Sequence, residues 1–158
     1  MTSDIEDLIA QLATDRAAAA AEQLAQHPEV ARACIALLDC LGTNDEATRE
    51  SVVAALENLE PPDADLAAIV DRLEGDPLRG YWAATLVGRL GPSGAAAVDA
   101  LAAVVERPDA ALEVRERATW ALGRLGPAAQ AARDVLARVA ADNSLPRLAR
   151  LAREVLGR

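Results

Sequence analysis

Few residues of this chain could do covalent chemistry, and their spacing removes most of the options. The sole histidine, His27, stands before Pro28 between two helical stretches. No multi-histidine metal site can form, and a histidine-assisted nucleophile would have to be built around that one residue. Cys34 and Cys40 lie six apart on one helical stretch, so they point in different directions and cannot bridge each other. They read as small core hydrophobes. Neither Gly-x-x-x-x-Gly-Lys nor Gly-x-Gly-x-x-Gly occurs, and Gly91-Pro92-Ser93-Gly94 reads as a helix stop followed by an N-cap on Ser93. Carboxylates such as Asp45-Glu46 and Asp63 with Asp65 fall at helix starts, where the macrodipole favours them whatever the function. No catalytic residue, metal site or cofactor is expected.

The constellation that remains is aromatic and cationic. All three aromatics, Tyr81, Trp82 and Trp120, fall on two helical stretches with a shared register. At 100° per residue, Tyr81 and Trp120 point away from the Ala/Leu face. Arg89, Glu116, Thr119 and Arg124 share that outer side, with Arg117 at its margin. Trp, Tyr and Arg are the side chains most enriched at protein-binding hot spots, because they join a large buried area to a directed polar end. Tyr81, Trp82, Arg89, Glu116, Arg117, Trp120 and Arg124 are therefore the candidate partner-binding residues. Trp82 and Trp120 have a competing use as wedges between neighbouring helices. Gly88 and Gly123 occupy one shared mid-helix position, where glycine is disfavoured by about 1 kcal/mol, and their bareness implies that something packs close.

The elements that must hold these residues repeat. Val114, Ala118, Ala121, Leu122 and Leu125 line one helical face, stopped by Gly126-Pro127. Ala83, Leu86, Val87, Gly88, Arg89, Leu90, Gly91 and Pro92 carry the same order of sizes and breakers, and Ala149, Ala152, Leu156 and Gly157 carry it again. A period of roughly thirty residues with two helices per unit marks an α-solenoid, whose units cannot bury their apolar faces alone. The expected units are 3–27, 28–60, 61–91, 92–126 and 127–158. They make one all-α domain over 1–158 of about five helical hairpins and about ten helices. Caps are expected from Ser3 with Glu6, from Thr14-Asp15, from Thr43 to Glu46, from Asp76 ahead of Pro77, and from Ser93 and Ser144. Arg16, Arg49, Arg79, Arg115 and Arg147 recur near the starts of the second helices.

Val114-Arg115, Ala118, Ala121-Leu122-Gly123 and Leu125-Gly126 resemble the HEAT-repeat signature, in the short form associated with phycobilin lyases. The resemblance is strongest over 78–127 and weakest over 1–27. It implies a right-handed superhelix with the second helix of each pair on the concave side, and no activity by itself.

All sixteen basic residues are arginine, against 25 Asp and Glu, for a net charge of −9. That balance argues against a nucleic-acid coat, whose affinity comes from neutralising phosphates. The charge is also graded. Residues 1–77 hold 4 Arg against 17 acids (−13) and residues 113–158 hold 9 against 5 (+4), which implies an acidic-to-basic dipole and a weak tendency to self-associate end to end. Arg147, Arg150, Arg153 and Arg158 make the last helix a polar cap. No leader or membrane-spanning run is evident, so a reducing cytosol is the expected compartment. The reading favoured by the residues is a noncatalytic adaptor that holds a protein segment on its concave face. A chromophore-handling role similar to the bilin lyases, and a DNA-binding role similar to the HEAT-fold alkylpurine glycosylases, are the alternatives.

Overall fold

The computed structural model describes residues 3–158, and among them the chain is all-α, with no strand. No helix among these residues is long and apolar enough to cross a membrane. The chain divides into two compact units, Met1–Asp65 and Leu66–Arg158.

In the first unit, α1 (Ile5–Gln11), α2 (Ala17–Ala25), α3 (Cys34–Cys40) and α4 (Glu46–Leu56) pack with α2 against both α1 and α4, and α3 against α4. Leu8, Leu24, Leu37, Leu38 and Leu56 are fully buried there, and Ala20 and Ala21 bring the α2 backbone close to its neighbours. Local chemistry sets the ends. The Asp45 carboxylate accepts the Thr48 amide at 3.0 Å, capping α4 as expected. At α1 the cap is Asp4, whose carboxylate accepts the Glu6 amide, while the Ser3 hydroxyl turns to Gln23 at 3.0 Å instead. Thr14, rather than Asp15, accepts the Arg16 amide at the entry to α2.

In the second unit, α5 (Leu66–Val70), α6 (Pro77–Leu90), α7 (Val98–Glu106), α8 (Leu112–Arg124), α9 (Arg133–Ala140) and α10 (Pro146–Leu156) follow in order. α6, α8 and α10 form one row of neighbours, and α7 and α9 lie together behind them; α5, α7 and α9 each pack on the helix that follows them in sequence. Asp76 accepts the Arg79 amide at 2.9 Å and Pro77 takes the first turn, as the dipeptide predicts. Ala83, Ala84, Ala118 and Ala121 are buried, so α6 and α8 approach with little side chain between them.

Two expectations change at the helix entries. Val30–Ala33, Gly91–Ala97 and Gly126–Ala132 wind as 3₁₀ turns ahead of α3, α7 and α9, so after the expected stops at Gly91-Pro92 and Gly126-Pro127 the α-helices begin only at Val98 and Arg133. Gly91 (φ 57°) and Gly126 (φ 73°) reverse the chain at once, and the proline after each holds the tighter winding. Neither Ser93 nor Ser144 caps a helix. Ser93 lies within one of these turns, and the Ser144 amide and hydroxyl both donate to Asp142.

Two of the recurrent arginines, Arg79 and Arg115, act through carbonyls. Arg115 is buried, and its Nε donates to the Val105 carbonyl at 2.9 Å, satisfying the end of α7 from the start of α8. Arg79 reaches the Glu74 carbonyl, in the exposed turn after α5, at 3.1 Å. In α10 this work passes to Arg153, which donates to the Ala140 carbonyl at the end of α9, while Arg147 takes a different partner.

Candidate functional site

Tyr81 on α6 and Trp120 on α8 are brought to one spot by the close approach of those two helices, and Arg117 joins them. Its guanidinium carbon sits 4.5 Å from the Tyr81 ring centroid and 4.7 Å from that of Trp120, with Nη2 donating to the Tyr81 hydroxyl. The cation is thus held between two π-faces. Each such contact contributes about 0.5–1 kcal/mol when exposed and more when desolvated. Two further arginines extend the array: Arg89 lies 5.6 Å from the Trp82 centroid and Arg124 lies 6.0 Å from that of Trp120. Tyr81 and Trp82 meet edge to face at 5.9 Å.

The seat of Trp120 is Gly88. A Cβ at that glycine would lie 2.4 Å from Cζ3 of the indole, so the ring rests directly on the α6 backbone. Gly123, at the equivalent place on α8, takes Val155 of α10 and Arg158 just beyond that helix in the same way, and Arg158 donates to the Gly123 carbonyl at 3.0 Å. The bareness of both glycines reflects a neighbouring helix in each case.

The seven candidates do not all share one fate. Tyr81, Arg117 and Trp120 form a contiguous half-buried cluster, and Arg124 is exposed beside it. Trp82 is turned inward, at 9% exposure, with the Arg89 guanidinium over its ring. Glu116 leaves the outer face: only 13% of its side chain is exposed, and it forms an ion pair with Arg147 Nε on α10 at 3.2 Å. Thr119 is fully buried, its hydroxyl donating to the Arg115 carbonyl at 2.9 Å. Trp120 is both things that the wheel offered for it, a wedge against α6 and one wall of the Arg117 cage. Arg117 is the residue the sequence placed least well. The wheel puts it at the margin, and only the approach of α6 puts it at the centre.

The other chemistry-bearing residues are accounted for locally. The His27 Nδ1 accepts the Glu29 amide at 3.0 Å and so closes the turn after α2. Cys34 is buried, and the half-buried Cys40 donates from Sγ to the Leu12 carbonyl. Burial, and after it the charge of Asp39, pushes the Cys40 thiol up, away from the thiolate that reactivity requires. Among the described residues, no group of three or more His, Cys, Asp or Glu side chains is placed to hold a metal ion. The aromatic cluster offers a rigid ring face, a phenol and oriented guanidinium N–H groups.

Two crystal structures of engineered proteins from the Northeast Structural Genomics Consortium are similar to this chain. One matches at 20% identity with a TM-score of 0.57, covering 97% of this chain and 78% of its own. The other matches at 22% identity with a TM-score of 0.59, and there this chain spans 47% of the engineered protein's length. At these identities the likeness is one of fold alone. No protein-family model matches the sequence, and no curated protein matches it.

Proposed function

We propose that the chain is a noncatalytic interaction scaffold, built of HEAT-like hairpins that succeed one another in a right-handed superhelix. The concave faces of its second helices would grip a protein segment at Tyr81, Arg117, Trp120 and Arg124, with Arg89 at the edge. The observation that carries this reading is the Arg117 guanidinium held between Tyr81 and Trp120. Caging a cation between rings fixes its rotamer before any partner arrives, so less side-chain entropy is lost on binding. The two rows of helices in the second unit support the repeat architecture.

The test removes the cage while sparing the seat of Trp120. Immobilised protein is used to capture partners from lysate, and the captured set is compared with that of Tyr81→Ala/Arg117→Ala. The wild-type set should be lost with helicity unchanged; undiminished capture overturns the assignment.

A further inference from the structure

We infer that the first unit carries a separate binding site for a small organic cation, an ammonium or guanidinium borne on an apolar body. The site is a cleft of about 740 Å³ bounded by the end of α1, the start of α2, the end of α3 and the start of α4. That volume is within the range of small-molecule pockets, roughly 300–1,000 Å³. Leu12 and Ala17, both buried, give it an apolar floor, flanked by the half-buried Ile9 and Ala36. Asp15, Asp39 and Asp45 stand exposed at its rim.

Two features select the charge of the occupant. None of the lining residues is basic, and the unit as a whole holds 3 Arg against 14 Asp and Glu, a net charge of −11. A cation entering the cleft therefore meets a field of one sign. Further, three of the donors on the wall are already spent inside it. The Thr14 hydroxyl donates to the Gln11 carbonyl, the Cys40 thiol to the Leu12 carbonyl and the Thr48 hydroxyl to Asp45. The Thr43 hydroxyl accepts the Asp45 amide, and the charged groups at the rim are all carboxylates above apolar surface, so a guest that brings a donor and a positive charge complements them. This site is independent of the aromatic cluster, and either can fail without the other.

The experiment titrates ¹⁵N-labelled full-length chain with 1-naphthylmethylammonium, and with 1-naphthylmethanol and 1-naphthoate as neutral and anionic analogues of the same shape. The ammonium should shift the amides of Ala13, Cys40 and Thr43 in a saturable manner, and raising the salt should weaken it. The alcohol should bind at least about fivefold more weakly and the carboxylate not at all. The variant Asp15→Asn/Asp39→Asn, which spares the α4 cap at Asp45, should lose the preference for the ammonium over the alcohol. If that variant does not fold, the wild-type series of three analogues decides alone. Equal binding of ammonium and alcohol overturns the inference, as does the absence of saturable shifts. Shifts of the same amides by an arginine- and leucine-rich peptide, with none from the ammonium, would also overturn it.

Discussion

The two units are built alike and furnished differently. In both, an aspartate opens a long helix by accepting the amide three residues on, Asp45 to Thr48 and Asp76 to Arg79, and in both, buried alanines let helices approach. Yet the first unit holds no aromatic residue and a net charge of −11. The second holds all three aromatics and 13 Arg against 11 acids, for +2. Caps and small apolar residues specify the scaffold, and they leave the outward positions free to vary. The difference between the units is therefore one of recognition chemistry: an open cleft rimmed by carboxylates in one, caged guanidinium in the other.

The glycines offer the sharpest way to break this comparison. Gly88→Val in the second unit drives a branched side chain into the Trp120 ring and should cost about 2–3 kcal/mol in denaturant unfolding. Gly42→Ala in the first unit places its Cβ 3.6 Å from the nearest atom, the Asp39 carbonyl, and should stay within about 0.5 kcal/mol of wild type. Equal effects would show that close helix approach does not distinguish the two positions.

The register arginines should separate the units by a smaller margin. Arg115→Met leaves the Val105 carbonyl without its donor in a buried place and should cost about 2 kcal/mol. Arg49 in the first unit pairs with Glu46 at 3.7 Å near solvent, so Arg49→Met should cost under about 1 kcal/mol. Matched losses would mean that the buried carbonyl bond contributes nothing beyond an exposed pair.

The smallest effect concerns acid. The Thr48 hydroxyl and amide hold the Asp45 carboxylate below its ordinary range, and the Ser144 hydroxyl and amide do the same for Asp142 in the second unit. With the folded value depressed, the unfolded chain takes up the proton first. The stabilisation is complete above the ordinary aspartate value, near pH 4, and is lost as pH falls through the lower folded values. Protection of the Thr48 amide followed from pH 5 to pH 2 should decline only below that ordinary range, and Asp45→Asn should abolish the step. A decline centred on the ordinary value would remove the proposed cause.

Much of the scaffold is legible in the sequence, because helix stops and starts are local. Asp76-Pro77 and Asp45 act as read, and the set of helices is close to that expected. The 3₁₀ entries are not legible, since Ala-rich stretches after Gly-Pro satisfy either winding and the turn is settled by the backbone reversal at Gly91 and Gly126. The site is legible in composition only. A helical wheel gives the angle of Trp82, Glu116 or Arg117 about its own axis, whereas burial, the pairing with Arg147 and the cage depend on what the adjacent helix presents. Gly88 and Gly123 are the local signs of those neighbours. The cleft of the first unit leaves no local sign, because its lining is gathered from four helices.

An indole that leans on bare backbone ties two distant positions into one heritable trait. Shrinking Trp120 opens a hole above Gly88, and enlarging Gly88 leaves the ring no place to lie. Descendants of this chain should therefore alter both sites together or keep both, so that covariation between them would record the helix contact long after the surrounding surface had diverged.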